Sequence, residues 1–255
     1  MQDRMSQVME ILARKGYQSV GELAAELKVS DMTIRRYLDR LEQKEIIKRT
    51  HGGAFVGQEM IEVDYRIRET VHNAEKEAIG RTALTLIQPG EAVFIDAGTT
   101  TAFLAFAMND AKRLTVVTNS LVVARSLENK VNVQTLLIGG TVHGATHSVV
   151  GSLAEEAISE FRFTKSFLGT SAIDLGQGFS QSTFDELPVK RKAAKQAQQV
   201  IVLSDSSKFN KQVTFLFMPL EGAHTIITDK GIRESDKRVL EEKNIRVIIA
   251  DMQEG

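Results

Sequence analysis

Cysteine is absent from this chain, which excludes disulfides, thiolate metal sites and cysteine nucleophiles and fits a reducing cytoplasm. An excess of either charge is absent too: Lys and Arg number 32 against 33 Asp and Glu, for a formal net charge of -1. Any contact with nucleic acid must therefore rest on a local cluster of cations and not on a global field. Nowhere does an uncharged run approach the roughly 18 residues that span a bilayer. Met1 to Arg14 carries charges where a signal peptide has an unbroken apolar stretch. The expectation is a cytosolic chain with no membrane partner. Also missing are a Walker-A motif, a dinucleotide glycine fingerprint and a Gly-x-Ser-x-Gly elbow, the marks of P-loop, nicotinamide and serine-hydrolase chemistry. There is no internal repeat and no low-complexity tract. What is present is a length of 255 residues, which at about 150 residues per domain allows one large domain or two unequal ones.

The N-terminal stretch carries helix punctuation at short intervals. Met5, Val8, Ile11 and Leu12 put an apolar stripe on one face of a helix that ends before Gly16. Ser19 and Glu22 form a Ser-x-x-Glu capping box ahead of a short helix that buries Leu23 and Leu27 and ends near Lys28. After the connection Lys28-Val29-Ser30, the Ser30 hydroxyl is placed to cap a third helix whose Ile34, Leu38 and Leu41 face inward. Its other face carries Arg35, Arg36, Asp39 and Arg40. Two helices joined by a short turn, the second presenting arginines, match a helix-turn-helix whose second helix enters the major groove. Residues 31–42 span roughly 18 Å at 1.5 Å per residue, enough to lie across that groove. Ile46 and Ile47 then lead into two extended runs around Gly52-Gly53, from Lys48 to Val56, as in a tight hairpin that forms a wing.

Arg35, Arg36 and Arg40 are the candidates for base edges or phosphates, because a guanidinium fork bonds guanine in a bidentate way and also clamps phosphate oxygens. Ser30 and Thr33, near the helix N-terminus, suit a phosphate oxygen. Lys48, Arg49 and His51 on the wing would meet the flanking backbone or minor groove. A lone run of arginines is more often a solvated helix face; here the capping box, the turn length, the capping serine and a basic hairpin accompany it. Double-stranded operator DNA is the expected partner.

These residues carry a resemblance. Val29-Ser30, Thr33-Ile34-Arg35-Arg36, Leu38, Leu41-Glu42 and Arg49-Thr50-His51-Gly52-Gly53-Ala54 resemble the signature of the DeoR family of bacterial regulators, in which this segment is a winged helix-turn-helix. The pattern departs at Tyr37, where the family usually carries an aspartate, and operator preference is the property on which that departure bears.

From about Glu59 to Leu86 the pattern is polar and helix-like, ended by Pro89-Gly90, and reads as a linker running into a second domain. Beyond Ala92, apolar runs alternate with helical segments: Val93 to Ile95, Leu114 to Val117, Val133 to Ile138, Ser166 to Leu168, Val200 to Leu203, Thr225 to Ile227 and Val247 to Ile249. Strands separated by helices predict an α/β domain with a mainly parallel sheet. The expected division is residues 1–57 for the winged helix-turn-helix, 58–74 for a linker helix and 75–255 for a sensor domain.

Asp96-Ala97-Gly98-Thr99-Thr100-Thr101 follows a predicted strand and opens a predicted helix. That geometry holds an anion on free amides and hydroxyls, and equally serves as a plain structural cap. Thr118-Asn119-Ser120 and Gly139-Gly140 close later strands, and ligands of open α/β sheets gather at that edge. Further on come Glu186 and Lys190, one turn apart, and Asp205-Ser206-Ser207-Lys208. A lysine and a carboxylate in one pocket would neutralise phosphate and bond hydroxyls. Singly, Glu186 reads as well as a capping box with Thr183 or a surface pair with Lys190, and Asp205 as a turn residue.

The resemblance to the DeoR family continues through Phe94-Ile95-Asp96-Ala97-Gly98-Thr99-Thr100, Val117-Thr118-Asn119-Ser120, Gly139-Gly140, Glu186 with Lys190-Arg191, and Asp205 with Ser207-Lys208-Phe209. It implies a sensor domain similar to ribose-phosphate isomerase and coenzyme A transferase folds, binding a phosphorylated sugar or polyol. By that resemblance the ligand-binding candidates are Asp96, Gly98, Thr99, Thr100, Asn119, Gly139, Glu186, Lys190 and Lys208. The chain is expected to be a repressor of carbohydrate-metabolism genes that works as a homo-oligomer, dimer or tetramer, since one recognition helix reads only a few base pairs. It would need no cofactor, no metal and no catalytic residue. The rival reading is a sugar-phosphate isomerase-like enzyme with Asp174, Glu186 and Lys190 as acid–base groups. His143 and His147 stand four apart, yet in a glycine-rich loop without a carboxylate or thiol to complete a zinc site.

Overall fold

The computed structural model describes residues 2–15, 18–43, 47–50, 52–55, 65–110 and 113–251. Ile46, His51 and Val56, and the first part of the expected linker, lie outside the described residues. The chain divides into two compact units, Met1–Val71 and His72–Gly255.

In the first unit, helix α1 (Gln2–Lys15) is followed by the short strand β1 (Gln18–Ser19), α2 (Val20–Leu27), α3 (Asp31–Gln43) and the strands β2 (Lys48–Thr50) and β3 (Gly53–Phe55). A one-turn helix, α4 (Tyr65–Arg68), lies near its end. Val8 and Leu12 of α1, Leu23 and Leu27 of α2, and Ile34, Leu38 and Leu41 of α3 form one buried cluster. The spacings i, i+3, i+4 and i+7 that marked these helices are the stripes that meet. Strand β3 lies between β1 and β2, antiparallel to both. Gly53 is what allows this: a Cβ there would fall 2.2 Å from the Gln18 carbonyl oxygen, so no larger residue lets the two backbones pair.

The second unit opens with α5 (Asn73–Thr85) and then β4 (Ala92–Ile95), α6 (Thr99–Ala107), β5 (Leu114–Thr118), α7 (Leu121–Leu127), β6 (Val133–Leu137), β7 (Thr141–His143), β8 (Ser148–Val150), α8 (Ser152–Ser159) and β9 (Phe163–Gly169). It continues with β10 (Ala172–Asp174), β11 (Gly178–Gln181), α9 (Leu187–Lys195), β12 (Ala197–Leu203), β13 (Phe215–Met218), β14 (Thr225–Thr228), α10 (Glu234–Glu242) and β15 (Arg246–Ile249). The seven apolar runs expected as strands all join one sheet, in the order β15-β14-β12-β9-β4-β5-β6. Every neighbouring pair in it is parallel.

Alternate side chains of these strands enter different cores. Val93, Ile95, Val116, Phe167, Ile201, Leu203 and Ile227 pack with residues of α5, α6 and α7. Phe94, Val117, Leu168, Val200, Val202 and Ile226 pack with residues of α8, α9 and α10. The period-two alternation thus buries both faces, as a parallel sheet requires. A fully buried side chain such as Phe94 or Phe167 contributes about 1.5–3 kcal/mol relative to exposure, and both are 0% exposed. Two further sheets were not legible: the hairpin β7–β8, and the antiparallel trio β10-β11-β13. The segment expected as a glycine-rich loop around His143 therefore holds a strand, three residues long, too short to show a period.

After β4 the chain builds β5 and β6 on one side, then returns to place β9, β12, β14 and β15 on the other. The strand order reverses between β4 and β9, and a crevice for ligands forms outside the carboxyl ends of strands at such a point. Asp96 directly follows β4 and Gly169 ends β9.

Candidate functional site

The DNA-facing candidates are set by local capping. Ser19 Oγ accepts from the Glu22 amide at 3.2 Å while the Glu22 carboxylate accepts from the Ser19 amide at 2.7 Å, the reciprocal pair of a capping box. Lys28 closes α2 in a left-handed conformation, φ 54°. Ser30 Oγ accepts from the Thr33 amide at 3.3 Å and lies 3.0 Å from the Thr33 hydroxyl, so Ser30 caps α3 as expected. Arg35, Arg36, Asp39 and Arg40 are exposed on one face of α3, and Ile34, Leu38 and Leu41 are buried on the other. Tyr37, the departure from the family pattern, is buried with that inner face, and the Arg36 guanidinium lies 5.8 Å from its ring centroid. On the wing, Arg49 forms an ion pair with Asp39 of α3 and its side chain is 22% exposed. Lys48 pairs through its backbone with Phe55, and His51 lies outside the described residues.

In the second unit the candidates at the strand-order reversal are buried and hydrogen-bonded within the protein. Asp96, Glu186 and Lys190 are each 1% exposed. The Lys190 ammonium donates to Asp96 Oδ2 and, at 3.0 Å, to the Gly169 carbonyl. The Gly169 amide donates to the same carboxylate at 3.0 Å, which ties β4 to β9. Phe217 lies beneath the lysine, 5.4 Å from Nζ to ring centroid. Gln181 donates through its side-chain amide to Glu186 Oε2, and Asn119 Oδ1 accepts from the Ala97 amide at 2.9 Å.

Three buried polar atoms of this group have no protein partner: Asp96 Oδ1, Asn119 Nδ2 and Glu186 Oε1. Two are acceptors and one is a donor. Burial drives the Asp96 carboxyl above its ordinary range; Lys190 opposes the rise, Glu186 adds to it, and the rise prevails.

Behind Asp96, α6 starts at Thr99 with Gly98 as its cap residue and no side chain capping the first turn. Thr101 turns its hydroxyl to the carbonyls of Asp96 and Gly98, at 2.7 and 3.0 Å, and so braces the loop. Thr99 and Thr100 are buried beside it.

The remaining candidates lie apart. Gly139 follows β6, two strands from β4, and is exposed. Lys208 lies beyond β12, two strands from β4 on the other side. Asp205, 1% exposed, accepts from the Ser207 amide at 3.1 Å. Burial pushes its carboxyl up, yet Lys208, the Ser207 hydroxyl, His72 and Lys76 together hold it below the ordinary range.

Glu186 is neither a surface pair with Lys190 nor a side-chain helix cap, since both residues are buried and α9 has no side-chain cap. Asp174 is a turn residue: its Oδ1 accepts from the amides of Gly176 and Gln177, both at 2.8 Å. That removes it from the acid–base set with Glu186 and Lys190. Gln181 and Phe217 belong to the cluster and had no motif to mark them; they arrive through β11 and β13, and Gly169, at the strand end where the sequence places a loop, arrives through β9. Among the described residues no group of His, Cys, Asp and Glu is arranged to hold a metal, and no helix is long and apolar enough to cross a membrane.

A winged helix-turn-helix joined to a parallel α/β unit, with a buried polar cluster where the strand order reverses, defines the class of DNA-binding regulators that carry a second, larger domain. Two family models match accordingly, the DeoR-like helix-turn-helix domain over residues 4–59 and the DeoR C-terminal sensor domain over residues 71–230. The chain belongs to the DeoR family of transcriptional regulators. It is 33% identical over 97% of its length to an uncharacterized HTH-type transcriptional regulator, YgbI, of Escherichia coli (strain K12), covering 97% of that protein. It is 30% identical over 96% of its length to the glycerol-3-phosphate regulon repressor of the same strain, covering 97% of it. Among solved structures it is similar to ribose 5-phosphate isomerase A from Methanocaldococcus jannaschii, at 14% identity over 54% of each chain with a TM-score of 0.39.

Proposed function

We propose that this regulator is a cytoplasmic repressor of carbohydrate-metabolism genes, released from its operator when a phosphorylated sugar or polyol fills the crevice at the carboxyl ends of β4 and β9. The observation that carries this reading is the trio of buried, unpartnered atoms, Asp96 Oδ1, Asn119 Nδ2 and Glu186 Oε1. A buried polar atom left without a partner costs about 1–3 kcal/mol, and a ligand with hydroxyl groups supplies both the donors and the acceptor that these three lack. Its phosphate goes to Gly98, Thr99 and Thr100 at the start of α6, where backbone amides favour an anion, with Lys208 as countercharge. Gly139, two strands from β4 at the end of β6, is assigned to the outer edge of the ligand's footprint. Lys190 is already balanced by Asp96, so its part is to hold that carboxylate in place. The name of the glycerol-3-phosphate regulon repressor agrees with a phosphorylated polyol.

On the DNA side, Arg35, Arg36 and Arg40 contact bases or phosphates, with Ser30, Thr33, Lys48, Arg49 and His51 on the flanking backbone. Residues 1–57 form the reading domain, 58–74 the linker and 75–255 the sensor, and two or more copies act together on repeated half-sites. The test is thermal unfolding of the full chain against a panel of sugars and their phosphates, because a ligand that binds only the folded state raises the melting temperature. A rise with one phosphate and none with its parent sugar, lost in Glu186→Gln, is expected. No rise across the panel overturns the sensor reading. By thermodynamic reciprocity operator DNA must weaken that ligand's affinity by the factor with which the ligand weakens DNA binding.

A further inference from the structure

One side chain on the DNA-facing stripe of α3 differs in chemistry from its neighbours. Met32 is 75% exposed and is the one large exposed apolar residue among the described side chains of the first unit. Residues 32, 35, 36, 39 and 40 fall at i, i+3, i+4, i+7 and i+8, a single helical stripe, and all five are exposed. The opposite stripe, Ile34, Tyr37, Leu38 and Leu41, is buried in the core of the unit, so α3 has no freedom to roll Met32 inward. Met32 thus stands in the first turn, at the head of the arginine stripe, and the N-terminal residues of a recognition helix are those that reach base edges.

In the major groove the apolar feature of a base edge is the thymine C5-methyl group; the others are hydrogen-bond donors and acceptors, which a thioether serves poorly. A methionine is unbranched and adaptable enough to cover such a methyl. The Ser30–Thr33 hydroxyl pair holds the turn on which it sits.

We propose that Met32 reads a thymine methyl group in each operator half-site, a specificity contact separate from those of the arginines. The proposal rests on α3 being the recognition helix. The experiment selects duplexes from a random pool with the full-length protein, then measures affinity for the selected site with each thymine replaced in turn by deoxyuridine, which removes the methyl alone. For the native protein, loss of one methyl per half-site is expected to weaken binding about fourfold per half-site, the worth of one buried carbon. Met32→Leu keeps that sensitivity, and Met32→Ala binds thymine and deoxyuridine duplexes equally at that position while sensitivity elsewhere is unchanged. Indifference of the native protein to every thymine methyl overturns the proposal, as does undiminished sensitivity in Met32→Ala, which would leave Met32 for a protein contact. If Arg35→Ala and Arg36→Ala select and bind the same duplexes as the native protein, the recognition-helix assignment itself fails.

Discussion

Arg35, Arg36 and Arg40 of the first unit lie on an exposed helix face, whereas Asp96, Glu186 and Lys190 of the second are each 1% exposed, Asp96 and Lys190 bonded to each other and to the backbone and Glu186 to the Gln181 side chain. Under the proposed function, the contrast follows from what each site would meet. A polyanion is drawn to charges that remain hydrated until it arrives, and binding gains from released counterions. A small hydroxylated ligand is held by a few groups already stripped of water, which must be paired in advance or they would unfold the pocket. The first unit therefore separates function from stability by face. In the second, the residues proposed to hold the ligand also hold the fold together.

Breaking the buried ion pair is the sharpest way to show this coupling. Lys190→Met leaves the Asp96 carboxylate buried without its cation and is expected to cost about 3–5 kcal/mol, read as a lower midpoint in urea unfolding of the sensor unit. The double variant with Asp96→Asn should recover part of the loss, and a single variant as stable as the native chain would refute the pairing.

On the other unit the effect moves from stability to affinity. Arg35→Ala or Arg36→Ala is expected to weaken specific operator binding by about 1–3 kcal/mol each, while stability stays within about 0.5 kcal/mol because the positions are exposed. Retention of operator affinity in both variants would sink the assignment.

The smallest effect concerns Asp205, whose carboxyl is held below its ordinary range against the pull of burial by Lys208, Ser207, His72 and Lys76. A carboxylate with a depressed folded-state pKa adds stability that is complete above the ordinary carboxylate range and lost as pH falls through it. Lys208→Ala should therefore narrow the gap in stability between neutral and acid pH. An unchanged acid limb would show that Lys208 does not sustain the charge on Asp205.

Much of the fold was legible because local rules decide it. The capping box at Ser19, the cap at Ser30 and the apolar spacing of Ile34, Leu38 and Leu41 depend on residues within one or two turns. The seven strands of the main sheet announce themselves as short apolar runs, six of them carrying valine or isoleucine. The short strands β7, β8, β10 and β11 did not, because their three or four residues include Thr, His, Ser, Asp, Gly or Gln and form no continuous apolar run. Of the sensor candidates, Asp96, Asn119, Glu186 and Lys190 came together, and Gly139 and Lys208 stand to either side. Gln181 escaped notice because its role exists only through Glu186, at the end of a strand in a sheet that the sequence does not reveal.

The sequence by itself determined the helix punctuation, the strand count of the main sheet and the basic stripe of α3, all of which follow from backbone propensity and periodicity over a few residues. Tertiary structure alone decided that Arg49 pairs with Asp39 and that Lys190 meets Asp96 across 94 residues of chain. Those outcomes depend on strand order and on which groups lose their water together, and both are properties of contacts between segments that no local pattern encodes.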